Sequence, residues 1–335
     1  MIKNIDSLNV SHLLRMTDDT GIFQHGKFSI PDPNFGYTTD DNCRALIATI
    51  LLYQRDKNEI YLQMTSWYLS FMTYAFKNGW YQNFMNYQRH FIDQQLSQDC
   101  FGRCLWALGY LLSQQNLPAG LIHAAETLLA HSVKQSKELT YIRAKSYSIL
   151  GLIYSGQYQQ EAELLAEDLM LQYAKHSDEN WLWFENGIYY CNAIMPWSLL
   201  LLAQISGNED YRTVGLKSLD FLLTITFDQK QFCPVGCDGW FEKHGTKALY
   251  DQQPVEACET LLACLTAYEL TGKQIYYEKA QQCYNWYLGA NIQKVCLIDS
   301  ESGGCFDGIT QRGVNLNQGA ESLISWLISW LCWHK

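Results

Sequence analysis

The segment SGQYQQEAELLAEDL, from Ser155 to Leu169, has a small residue, a glycine and a polar helix start, followed by apolar positions spaced three and four apart. It reads as the tight turn of a helical hairpin. SGNEDYRTVGLKSLDFL (Ser206–Leu222) and TGKQIYYEKAQQCYNWYL (Thr271–Leu288) follow the same plan. A weak repeat of about fifty residues is the kind left by stacked helix pairs.

Working outward from these turns, the three-and-four periodicity predicts twelve helices. They cover Leu8–Met16, Asn42–Tyr53, Glu59–Phe76, Gly102–Ser113, Ala119–Lys134, Ile142–Tyr154, Gln159–Lys175, Asn192–Ile205, Tyr211–Thr224, Val255–Leu270, Ile275–Leu288 and Gln318–Trp333. Their connections alternate. QRDKN, SQQNLP, SGQY, SGNED and TGKQ are short, whereas 17–41, 77–101, 176–191, 227–254 and 289–317 are long; only 135–141 is short in the second set. In an up-and-down arrangement all long connections share one end. Six hairpins closed into a ring give an all-α (α/α)6 toroid, a single domain over residues 1–335, with an open solenoid as the alternative. The ring is preferred because the long loops can fold over a central mouth.

Composition narrows the function. A net charge of −10 argues against nucleic acid, whose phosphates demand cations, and against an anionic membrane surface. No apolar run approaches the roughly 20 residues that cross a bilayer, and the start MIKNIDSLNVSHLL lacks the apolar core of a signal peptide. A cytoplasmic protein is expected. Its 11 Trp and 22 Tyr suit a hydroxyl-rich ligand, because an aromatic face packs on a sugar ring and leaves hydroxyls free to bond. The 12 cysteines read as buried, reduced thiols. Cys100/Cys104 and Cys233/Cys237 have ligand-like spacing, but no companion pair completes a zinc pattern, so neither metal nor cofactor is expected.

The long connections carry the chemistry. They bring to successive helix starts Asp40 and Asp41, then Asp99 and Arg103, then Trp181, Trp183, Glu185 and Asn192. Asp238, Trp240, Asp251 and Glu256 follow, then Asp307, Asn317, Gln318 and Glu321. Any one acid in a first helical turn is accounted for by the helix dipole, worth about 0.3–1 kcal/mol. A cap does not require neighbouring tryptophans, or the amides Gln252 and Gln253 beside Asp251. Together these groups describe a carbohydrate site. His90 and His244 lie in long loops, where a lone histidine is more often a surface residue.

TTDDNCRAL (Thr38–Leu46), DCFGRCLWALG (Asp99–Gly109), WLWFENGIYYCNAIMPWSLL (Trp181–Leu200), DQQPVEA (Asp251–Ala257) and GGCFDG with NQGAES (Gly303–Gly308, Asn317–Ser322) resemble a bacterial six-hairpin glycosidase-like family. Its members occur alone or fused to glycosyltransferases, in mannoside metabolism, and the match runs from Tyr37 to Leu331. The resemblance implies an (α/α)6 toroid, an oligosaccharide or glycoside substrate and a glycosyltransferase as a partner. Asp40, Asp41, Arg44, Asp99, Arg103, Trp183, Glu185, Asn192, Gln252, Gln253, Glu256, Gly303, Asp307, Asn317, Gln318 and Glu321 match its pattern. Gln88, Gln98, Asn186 and Cys191 stand where the pattern has acids, a departure that bears on catalysis.

The leading expectation is a glycoside hydrolase acting on a mannose-containing oligosaccharide. One carboxyl would protonate the leaving oxygen while another activates water on the opposite face, with inversion. Asp41, Glu185 and Glu256 are the catalytic candidates, Trp183 and Trp240 the platforms. Gln252, Gln253, Asn317 and Gln318 would bind hydroxyls. A sugar epimerase or isomerase, needing opposed histidines, and a catalytically inactive sugar-binding or assembly module are the alternatives.

Overall fold

A computed structural model describes residues 5, 7–228 and 231–335. Among them are twelve α-helices: α1 Ser11–Met16, α2 Thr39–Asp56, α3 Glu59–Ala75, α4 Gln98–Leu112, α5 Ala119–Ser132, α6 Ile142–Tyr154, α7 Gln159–His176, α8 Ile194–Ser206, α9 Glu209–Thr226, α10 Pro254–Thr271, α11 Gln274–Tyr287 and α12 Ala320–Trp333. Each expected helix is present. Local signals fix their ends: Thr38 Oγ1 accepts Asp41 N–H at the start of α2, and Ser97 Oγ accepts Cys100 N–H at the start of α4. Gly207 and Gly272 end α8 and α10 at φ 70° and 66°, the left-handed geometry that makes glycine the fitting residue in these two turns.

The chain forms two compact units, Leu13–Glu167 and Met1–His12 with Asp168–Lys335. In the first, α2, α4 and α6 pack side by side, with α3 against α2 and α5 against α4. In the second, α8, α10 and α12 pack side by side, with α9 on α8 and α11 on α10. The two kinds of helix differ in burial. α6 is buried at every position from Ile142 to Ile153, and α10 from Pro254 to Cys264. α3 buries only a stripe, Tyr61, Met64, Thr65, Tyr68, Leu69, Phe71, Met72 and Ala75. Thus α2, α4, α6, α8, α10 and α12 are inner helices and their hairpin partners are outer ones.

The α4–α6 pair shows how sequence permits this packing. A Cβ on Gly109 would lie 1.8 Å from the Gly151 carbonyl oxygen, and one on Gly151 would lie 2.1 Å from that of Leu105. Only hydrogen side chains let the backbones approach so closely. Fully buried Trp183, Trp286 and Trp326 anchor the other unit, where each large side chain removed from water contributes roughly 1.5–3 kcal/mol.

Hairpin connectivity makes the inner helices of a unit parallel, so the long connections preceding α8, α10 and α12 lie at one end of theirs. Two-residue strands tie the first two of these loops together, and three-residue strands form a hairpin within the third. Gly187–Ile188 pairs with Phe241–Glu242, and Gly308–Thr310 pairs with Gly313–Asn315. Among the described residues no helix is long and apolar enough to cross a membrane.

Candidate functional site

The loop before α10 folds back on itself. Cys237 N–H donates to Asp251 O (3.0 Å), Asp238 N–H to Tyr250 O (3.2 Å), Trp240 N–H to Gly236 O (3.0 Å) and Ala248 N–H to Trp240 O (2.9 Å). This stacks Asp238, Tyr250 and Asp251 into one wall. The facing wall is the tip of the Gly308–Asn315 hairpin, Thr310, Gln311 and Arg312. The hairpin is set in place by Gln252 and Ile309, which exchange backbone hydrogen bonds of 3.0 and 2.9 Å. Between the walls is a cleft of about 550 Å³, of the size that holds small ligands.

Its electrostatics are unusual. Burial, and then the nearby Asp238 carboxylate, raise the Asp251 carboxyl above its ordinary value, because a charge is disfavoured both by desolvation and by a like charge. Asp251 also adopts φ 35°, an uncommon conformation for a side-chain-bearing residue. The Cys237 thiol is pushed up to about 12 by burial, then by the carboxylates of Glu256, Asp251 and Glu321. Acids from the α10 loop and from the first turns of α10 and α12 therefore gather around one thiol. Trp240 is 40% exposed and meets Tyr189 edge to face at 5.7 Å, offering the aromatic surface a sugar ring needs.

Several expected site residues have other duties. Glu256 is 5% exposed: one oxygen accepts Cys191 N–H, and the other accepts Asn192 N–H (3.4 Å) and Nδ2–H (3.0 Å). It does not present an open acid to the cleft. Asn192 is committed as well, since its Oδ1 accepts Tyr189 N–H at 3.0 Å and its Nδ2 donates to Tyr189 O at 3.1 Å. Trp183 is fully buried, edge to face with Phe184 at 5.4 Å, and so is core rather than platform. Gln252 is fully buried; its Nε2 donates to Leu249 O (2.9 Å) and its Oε1 accepts the Trp286 indole N–H (3.0 Å). Gln318 is buried too, holding Asp299 at 3.0 Å and Ser302 at 2.8 Å. Asp307 Oδ1 accepts Gly319 N–H at 2.6 Å and so caps α12. These corrections have one cause. Long loops that fold inward bury backbone and polar groups that must find partners, and amides and acids are the partners. Glu185, Gln253, Asn317 and Glu321 are half-buried at the loop ends and first helical turns where they were expected.

The candidates of the other unit form an ion-pair network. Asp40 accepts both bonds of Arg103 Nη1, at 3.0 and 2.8 Å, and lies 3.7 Å from Arg44. Asp41, 5% exposed, accepts Arg44 at 2.9 Å and the Thr38 hydroxyl at 2.6 Å. Burial opposes ionisation of Asp40, but the guanidinium groups of Arg103 and Arg44 outweigh it and hold the carboxyl below its ordinary value. Arg103 also lies over the Tyr147 ring at 4.7 Å. Asp41 is thus a first-turn acid committed to Arg44 and to the Thr38 cap rather than an available acid, while Asp99 is half-buried in the first turn of α4.

His90 and His244 are exposed, and neither lines the cleft. Tyr250 and Arg312 were not singled out from sequence. Tyr250 adjoins the DQQPVEA motif, whereas a lone arginine in a loop gives no signal. Nine of the twelve cysteines are buried, as expected; burial pushes the Cys100 thiol up to about 11. Among the described residues no group of three or more His, Cys, Asp or Glu is placed to hold a metal ion.

No family model and no curated protein matches the chain. Its structure is similar to that of a D-mannose isomerase, at 14% identity and TM-score 0.74 over 97% of this chain and 94% of the other. It is similar to a cellobiose 2-epimerase from Bacillus thermoamylovorans, at 14% identity and TM-score 0.73 over 97% and 96%. An alpha-1,6-mannanase from a Salegentibacter species matches at 12% identity and TM-score 0.61 over 97% and 96%. With twelve helices paired as inner and outer members, this likeness over nearly the whole chain gives the fold: the six-hairpin, glycosidase-like (α/α)6 fold.

Proposed function

We propose that the chain is a carbohydrate-active enzyme that cleaves a glycosidic bond in a mannose-containing oligosaccharide, and that the cleft between the α10 loop and the Gly308–Asn315 hairpin is its site. The observation that carries this reading is the raised carboxyl of Asp251 beside Asp238. A carboxyl that burial and a neighbouring carboxylate make harder to ionise suits the proton-donor role of glycoside hydrolysis, with the neighbour as its partner. Asp251, whose carboxyl holds its proton more tightly than an ordinary one, donates to the leaving oxygen. Asp238, in the same wall, supplies the second carboxyl, which takes the proton of the attacking water. Trp240 and Tyr189 supply the platform, and Arg312, Gln311 and Tyr250 supply donors to hydroxyls. Glu185 and Glu321 remain candidates for further polar contacts. The setting is cytoplasmic, where the buried thiols stay reduced.

A second reading has a specific observation in its favour: the likeness to the isomerase and the epimerase, at TM-scores of 0.74 and 0.73, exceeds that to the mannanase. Epimerisation moves a proton at carbon and needs groups on both faces of it. Tyr250 and Asp251 would have to serve, since His90 and His244 do not line the cleft. Incubation with mannobiose in deuterated water separates the two. Hydrolysis releases a new reducing end without carbon-bound deuterium, whereas epimerisation keeps chain length and places deuterium at the sugar C2. Release of neither product from a panel of mannosides would refute both.

A further inference from the structure

Glu256 uses its carboxylate in a way that neither capping nor acid–base catalysis explains. It stands in the first turn of α10, yet it bonds to the entry of α8, accepting Cys191 N–H, Asn192 N–H and Asn192 Nδ2–H. Asn192 passes the constraint on by gripping both backbone groups of Tyr189, at 3.0 and 3.1 Å. The Tyr189 ring meets Trp240 edge to face at 5.7 Å, and its hydroxyl donates to Glu242 at 3.2 Å. The turn so held is not a relaxed one: Cys191 has φ 46°, a position where a side chain is disfavoured unless its surroundings fix it, and Trp240 in the neighbouring loop has φ 51°.

We infer that Glu256 is a positioning residue, which through Asn192 sets Tyr189 and so its pairing with Trp240, a residue of the loop that carries cleft-lining Asp238. The inference rests on the reading of that cleft as the sugar site. It separates two acids five residues apart in one motif. Asp251 lines the cleft and performs the proton transfer; Glu256 lies nearly out of solvent, with both oxygens engaged, and acts through the loop. A charge-assisted bond to backbone N–H is roughly twice as strong as a neutral one, which suits a carboxylate to holding a strained turn.

Glu256→Gln tests this, because an amide cannot accept on both atoms. Amide hydrogen exchange at Cys191 and Asn192 should accelerate by about tenfold or more, as for a lost hydrogen bond to a charged group. KM for manno-oligosaccharides should rise by about tenfold while kcat changes less than about threefold, the pattern of lost uniform binding. Both limbs of the pH–rate profile should persist, and added formate should not restore activity. Asn192→Ala breaks the same chain with Glu256 intact and should raise KM likewise, which keeps the test open if the first variant does not fold. Unchanged exchange over 187–193, with kcat lowered by about 10²-fold and recovered by formate, would make Glu256 catalytic and overturn the inference. If the unmodified protein binds no mannoside, the cleft reading fails, and exchange at 187–193 and 239–242 still decides whether Glu256 holds the aromatic pair.

Discussion

Replacing Arg103 with Met removes a guanidinium that makes two bonds to Asp40, at 3.0 and 2.8 Å, and stacks over Tyr147 at 4.7 Å. The side chains are 7% and 19% exposed, so the carboxylate left behind cannot be fully hydrated. Removing one partner of a buried pair costs about 3–5 kcal/mol. Arg44 stays 3.7 Å away and relieves part of this, so the lower end applies, with about 1 kcal/mol more from the lost cation–π contact. We therefore expect a loss of about 3–4 kcal/mol from these two effects, read as a lower urea midpoint with unchanged slope. Asp40→Asn combined with Arg103→Met removes both charges and should recover most of the loss, because an isolated buried charge no longer remains. A single variant that loses less than about 1 kcal/mol, or a double variant that loses the sum, would refute the assignment of this pair to scaffold. A rise in KM without loss of stability would return both residues to the substrate.

Acid should act through the same pair. The folded carboxyl of Asp40 titrates below the ordinary 3.8, so its contribution is present above that value and lost as pH falls through its folded pKa, which a denaturation series at decreasing pH will show. Asp251 has the opposite sign: its stability is greatest when protonated and declines as pH rises through its raised pKa. Gly109→Ala should destabilise by about 1–3 kcal/mol despite its better helix propensity. Gly120→Ala in α5, where a Cβ meets nothing within 4 Å, should stabilise slightly; melting temperatures decide both. Trp240→Ala should weaken mannotriose binding by about tenfold, the value of one aromatic contact, as measured by calorimetry.

Much of this architecture is legible in sequence because hairpins announce themselves. Glycine turns such as Ser206–Asn208 and Thr271–Lys273 mark one end of each pair, and three-and-four periodicity marks the helices between. Boundaries slipped where a cap decided them. α2 begins at Thr39 and α4 at Gln98, because Thr38 and Ser97 cap ahead of the apolar pattern. α1 starts later than expected, at Ser11, whose N–H donates to Asn9 Oδ1 at 3.0 Å. The paired Gly187–Ile188 and Phe241–Glu242 segments left no trace, since two residues carry no alternation to read. For the site, the motifs point to loops but do not give the direction of each side chain. DQQPVEA holds a cleft acid, a fully buried amide and a clamp within six residues, Asp251, Gln252 and Glu256. Only the tertiary partners, Trp286 for the amide and Asn192 for the clamp, tell them apart.

The central claim is that Asp251 supplies the proton in the cleft, and the pH dependence of turnover by Asp251→Asn tests it most directly. Asparagine keeps the shape of the side chain and removes the titrating proton, while circular dichroism verifies the fold. With a manno-oligosaccharide substrate, kcat should fall by about 10²–10⁴-fold. The basic limb of the profile, which on this account reports deprotonation of Asp251, should disappear. A folded Asp251→Asn protein that keeps both its turnover and that basic limb would contradict the account.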